Sequence, residues 1–197
     1  MASEQMTVWA DRLRVAASMT LGQEPSQGIS DSIEGPTGLL RMARLVAVSL
    51  GQSTTAIEFV PSTLDERLWA SLIGLGKIPE PPTESTGALS GEPAGLAIEV
   101  WTEIELAAVH AGWSIGGPWQ RAAKRAAAWL VEHVQPDNAT NRPWAVHVFA
   151  ELAEQLGDTT YELYAQTLLH NCQVGTGKPD QFSAMILLHA SDQLQAC

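Results

Sequence analysis

The sequence predicts an all-α protein of about eight helices in four helical hairpins, stacked as a short α-solenoid or an incomplete ring. Three observations predict it. Apolar residues recur at three- and four-residue steps along most of the 197-residue chain. WLVEHVQPDNATNRPWAVHVFAELAEQL at 129–156 lies without a gap over TLLHNCQVGTGKPDQFSAMILLHASDQL at 167–194, an offset of 38 residues. The stretch with β-propensity, TTAIEFV at 54–60, has no convincing second strand to pair with, so an extended connector is expected there.

Residues 5–21 hold Met6, Trp9, Leu13, Ala16, Ala17 and Met19 at three- and four-residue steps and end at Gly22, an amphipathic first helix. A Ser/Gly/Pro-rich loop at 23–36 leads to a second helix, Thr37–Leu50, which Gly51 caps. Leu64–Leu75 is the third, with Asp65 and Glu66 in the first turn, where they suit the helix dipole. Lys77–Pro93 holds four prolines and two glycines and is expected to be the most mobile internal loop. Gly95–Ala111 is apolar over most of its surface and is expected at the centre of the fold. Pro118 suits the first position of a fifth helix, Pro118–Val134. The sixth is Pro143–Leu156, ended by Gly157, and Thr159–Cys172 and Asp180–Ala196 complete the set.

The two copies match at Leu130/Leu168, Gln135/Gln173, Gln155/Gln193 and Leu156/Leu194, with Trp144/Phe182 as an aromatic pair. Each copy reads as helix, short Pro/Gly/Asp loop, second helix. Earlier segments echo this: Pro36-Thr-Gly-Leu39 parallels Pro93-Ala-Gly-Leu96, and RLVAVSLG (44–51) parallels ELAAVHAG (105–112). Repetition of this kind points to hairpins that bury their faces on their neighbours within one domain.

A helix ending in Trp129-Leu130, then Gln135 and Asp137 in a short loop, then a helix led by Trp144, resembles the hairpin unit of the α/α toroids. Leu168, Gln173 and Phe182 are the partners in the second copy. Terpene cyclases and protein prenyltransferase β-subunits use such toroids. The resemblance covers residues 118–196 and implies a partial α/α toroid. The acidic DxDD motif of the cyclases is absent and no zinc triad like that of the prenyltransferases can be placed, so it implies a shape and no activity.

Composition bounds the function. The formal charge is −11, from 11 basic and 22 acidic side chains. That balance argues against nucleic acid as a partner, because phosphate binding needs concentrated positive charge. No stretch approaches the ~20 apolar residues a membrane span needs, and the N-terminus is a poor signal peptide. Two cysteines, Cys172 and Cys197, make no disulfide framework and fit a reducing, cytoplasmic setting. The Asn138-Ala-Thr140 sequon then reads as plain loop sequence.

Five histidines stand at 110, 133, 147, 170 and 189. His147 and Glu151 are four apart on one helical face, and the repeat sets Glu151 opposite His189. If those faces meet, His147, Glu151 and His189 form a polar, acid/base or metal site, with His133 or His170 nearest in sequence to complete it. The competing reading makes them polar residues on solvated faces. Trp113, in the turn before Gly116-Gly117, is the tryptophan of the seven best placed to stack on a ligand. Cys172 lacks electropositive surroundings and reads as a structural thiol. GTGK at 175–178 lacks the spacing of a phosphate loop, and Arg121, Lys124 and Arg125 read as a solvated face.

No motif implies a cofactor. The leading expectation is therefore an interaction or scaffold protein that takes a protein or peptide. An enzyme or small-ligand protein built on His147, Glu151 and His189 is the alternative. Self-association through an apolar flank of the last helix (Phe182, Met185, Ile186, Leu187 and Leu188) is the third.

Overall fold

The computed structural model describes residues 3–21, 60–61, 63–82, 87–91, 95–135, 140–174 and 177–196. These form seven helices and no strand: α1 (Glu4–Leu21), α2 (Leu64–Leu72), α3 (Ile98–Ile115), α4 (Gly117–His133), α5 (Val146–Leu156), α6 (Thr159–Asn171) and α7 (Gln181–Ala196). The expected helix at 37–50 and most of the 54–60 connector lie outside the described residues. The all-α class is as the periodicity predicts, and the helices pack as a compact bundle.

Local chemistry starts and stops the helices. Thr63 Oγ1 accepts from the Glu66 amide, and the Glu66 carboxylate accepts from the Thr63 amide, a reciprocal cap at the start of α2. Asp158 Oδ1 accepts from the Thr160 amide at the start of α6, and Asp180 Oδ1 does the same for Ser183 near the start of α7. Gly116 (φ 80°) and Gly157 (φ 64°) take the left-handed backbone that lets α3 turn directly into α4 and α5 into α6.

Those two tight turns fix the hairpins. The most extensive packing within sequential pairs is α3 on α4 and α5 on α6. α4 packs beside Gly112, where an added Cβ would meet Ala123 and Trp119 at ordinary contact distance, while Phe149 stacks on Tyr164 at 4.3 Å between ring centres. The phase of the pairing thus differs from the helix–loop–helix copies read in the sequence. The helices on either side of 134–145 and of 172–180 meet only slightly. The 38-residue offset has a structural cause all the same. Trp69 donates to the carbonyl of Ala107, Trp113 to Glu151, and Arg142 pairs with Asp180, each pair being 38 residues apart. Successive units are thus set side by side in register, and the register extends upstream of the duplicated stretch.

The last helix is covered. α7 packs most extensively against α1, the first helix of the chain. Ser191 Oγ donates to the Ala10 carbonyl at 2.9 Å, Arg14 reaches Asp192 and Gln195, and Thr20 donates to the Pro179 carbonyl. Phe182, Met185, Ile186 and Leu187 are buried, which removes the motive for self-association through that flank. Replacing Ser191 by alanine removes one buried hydrogen bond across this joint. The expected cost is about 1 kcal/mol, readable as a drop in the thermal midpoint of about 2–4 °C. An unchanged midpoint would mean that α1 is not seated on α7.

The loop expected to be mobile is pinned where it is described. Glu105 on α3 accepts from the amides of Leu89 and Ser90 at 2.6 and 2.7 Å. Trp101 donates to the Gly91 carbonyl and Trp119 to the Pro79 carbonyl. Gly87 lies so close to the Trp129 indole that an added Cβ would sit 2.9 Å from its nitrogen. Prolines remove amide donors but leave carbonyls, and buried tryptophans and a buried glutamate supply the partners this segment needs. α3 also departs from expectation: Trp101 to Trp113 hold its buried face, while Ile98 and Val100 in the first turn are exposed.

Candidate functional site

Three helices each bring one histidine to the middle of the bundle. His110 comes from α3, His147 from the first turn of α5 and His189 from α7, and all three are completely buried. The ring centres of His110 and His147 are 4.4 Å apart, and those of His110 and His189 are 5.0 Å apart and stacked. Trp69 from α2 and Trp144 from the turn before α5 close over them, 5.7 and 5.5 Å from His110.

The hydrogen bonds assign the protons. The Ala145 amide donates to His110 Nδ1 at 3.2 Å, so that nitrogen is an acceptor. His110 Nε2 therefore carries the proton and donates it to His189 Nδ1 at 2.8 Å. The Ala145 amide sits there because Ala145 adopts φ 58°, ψ 12°, a left-handed conformation that a residue with a Cβ takes at a cost of about 1–2 kcal/mol. Strain at Ala145 thus coincides with a fixed tautomer at His110. Among the described residues, neither ring nitrogen of His147 has a hydrogen-bond partner.

Burial pushes the basicity of His110 and His147 well below the ordinary histidine value, and repulsion from the neighbouring imidazoles adds to it. Both are neutral at pH 7. A metal ion does not fit this arrangement. Coordination through His110 Nε2 needs a lone pair there, whereas the Ala145 amide forces the proton onto it. Among the described residues no group of three or more His, Cys, Asp or Glu side chains is placed to hold a metal.

The structure brings His147 and His189 to one cluster and sets Glu151 and Trp113 in another contact. Glu151 accepts from the Trp113 indole at 3.2 Å, and both are nearly buried. Trp113 is thus a core donor rather than an exposed stacking surface, and none of the three polar side chains lies on a solvated face. His133 and His170, the expected completing ligands, are exposed. His133 stacks on Trp129 at 4.6 Å instead. His110 is the member that sequence reasoning passed over. Its signal was its setting in ELAAVHAG, where the flanking Ala107, Ala108 and Ala111 mark the buried stripe.

Other candidates resolve more simply. The Cys172 thiol donates to the Leu169 carbonyl and is pushed up to about 12, mainly by burial, so it is no nucleophile. Arg121 and Arg125 are exposed on α4 as expected. The first two residues of GTGK, Asn138 and Ala139 of the sequon, and Cys197 lie outside the described residues. Two open grooves mark the surface. One of about 460 Å³ is lined by Glu4, Gln5, Val8, Trp9, Arg12 and Glu162. The other, of about 570 Å³, lies between the start of α3, the 140–142 turn and Asp180. Neither is lined by a histidine.

No protein-family model, curated protein or solved structure matches the chain. What the described residues define is a class: an all-helical bundle of packed hairpins around a buried histidine–tryptophan centre. Among the described residues no helix is long and apolar enough to cross a membrane.

Proposed function

We propose that the chain is a non-catalytic helical binding module that takes a basic, partly apolar peptide or protein segment in the groove at the start of α3. The observation that carries this reading is the lining of that groove. Among the described residues that line it, Glu99, Glu103 and Asp180 accompany one cation, Arg142, which is already paired with Asp180 and hydrogen-bonded to Ser183. Val100 lies in the groove and Ile98 next to it, both about half exposed. An excess of carboxylates beside exposed aliphatic side chains complements a segment that pairs lysine or arginine with apolar residues. The net charge of −11 favours the approach of such a partner.

The test is a titration of labelled peptides, basic and acidic in otherwise matched sequences, against the wild type and a Glu99→Lys/Glu103→Lys variant. The basic peptides are expected to bind, to weaken as salt rises, and to lose at least about tenfold in affinity to the variant. Equal binding of basic and acidic peptides, or an unaffected variant, removes the reading.

The alternative, a small-ligand or catalytic site at His147, Glu151 and His189, has one observation in its favour. His147 is a buried imidazole with no hydrogen-bond partner among the described residues, next to the strained Ala145. A ligand-dependent change in the His147 ring signals on adding small polar compounds would support it.

A further inference from the structure

We propose that the His110–His147–His189 cluster is an acid-sensitive latch, which holds α3, α5 and α7 together while neutral and releases them when a proton enters. The cluster is where the bundle is tied. α7 also carries the joint to α1, and Trp69 of α2 packs on both His110 and His189. A change at these rings therefore acts on five of the seven described helices.

Each place a proton could go is unfavourable in the closed bundle. His110 Nδ1 faces the Ala145 N–H, and His189 Nδ1 faces the His110 Nε2–H. Protonating either sets two donors against each other. His147 can accept a proton without losing a hydrogen bond, but the new charge then lies 4.4 Å from the His110 ring centre, fully buried.

The carboxylates of the neighbouring described helices are engaged elsewhere or exposed. On α2, Glu66 caps the Thr63 amide and Asp65 lies beside Glu105, while Arg67 is exposed. On α3, Glu105 holds the Leu89 and Ser90 amides, Glu103 accepts from Thr140 and Glu99 is exposed. On α5, Glu151 accepts from Trp113 and Glu154 is exposed. α7 and α1 contribute Asp192 and Arg14, paired with each other at the surface, and Glu4, Asp11 and Arg12 of α1 are exposed. Among the described residues, the groups that bear electrostatically on His110 and His147 are other histidines.

The direction follows. Both histidines bind a proton less readily folded than unfolded, so their contribution to stability is complete above the unfolded value of about 6.5 and is lost as pH falls below it. Each one raises the unfolding constant by up to about tenfold per pH unit in that range. Glu105 works the other way, since burial raises its affinity for a proton, and a comparison of two proteins that both keep Glu105 cancels it.

The experiment is denaturant unfolding of the wild type and His147→Leu from about pH 7.5 to about pH 5. Leucine removes a titrating ring that makes no hydrogen bond to the described residues. The wild type is expected to lose stability steeply below about pH 6.5, and the variant to lose it less steeply, by about one proton. Identical pH dependence in the two proteins overturns the proposal. Should His147→Leu fail to fold, nitrogen-15 spectra of the wild-type imidazoles decide. His110 and His147 must stay neutral in the folded protein at about pH 5.5, and a folded protein with either ring protonated there overturns the latch.

Discussion

Replacing Trp69 by alanine is expected to cost about 4–5 kcal/mol, at the upper end of the range for a buried aromatic. The side chain is completely buried. Its indole N–H donates to the Ala107 carbonyl at 3.2 Å, and its ring lies 5.3 Å from Trp144, 5.7 Å from His110 and 6.4 Å from His189. Neighbours of that size cannot collapse into the space left, because Trp144 is fixed next to the Pro143–Ala145 turn and the histidines by their own hydrogen bonds. Domains of this size are held by about 5–15 kcal/mol, so the variant should lose about a quarter or more of its stability. Urea unfolding should show the midpoint falling with an unchanged slope. A loss under about 2 kcal/mol would mean that the centre of the bundle repacks freely.

The second large effect is expected at Glu105. Alanine there removes both oxygens that hold the Leu89 and Ser90 amides and leaves two donors without an acceptor at the edge of the core. At about 1–3 kcal/mol for each orphaned buried group, the expected loss is about 3 kcal/mol. The effect should also be local. Leu89 is buried against the core, and once released it should open the 87–91 segment to proteases that leave the wild type intact there. Glu105→Gln keeps one acceptor and should recover about half of the loss. If the alanine variant is cut no faster than the wild type, the segment is held by its prolines and by Trp101 and Trp119 alone.

The sequence by itself determined the helices, because what makes them is local. The steps of Met6, Trp9, Leu13 and Ala17 write the buried face of α1, and all four are buried. Gly157 stops α5 and Asp158 starts α6 within two residues of each other. The repeat was legible for the same reason: residues 38 apart occupy matching places, and Trp113 and Glu151 touch for that reason.

Tertiary structure alone decided which helices pair and which polar groups meet. The pairing of α1 with α7 rests on contacts such as Arg14 with Asp192, 178 positions apart, and no local pattern encodes such a distance. The histidine cluster needed His110, which lies in a run of small apolar residues where a polar side chain looks like an interruption. It is tolerated there because Ala145, from another unit and in a strained conformation, turns its amide toward the ring. The described residues 77–82 and 87–91 show the same division. Their prolines forbid a helix, a property of the chain, but whether they are held depended on a glutamate and two tryptophans brought to them by folding. The partners of buried His110 and Glu105 arrive from elsewhere in the chain, so these contacts had to wait for the fold.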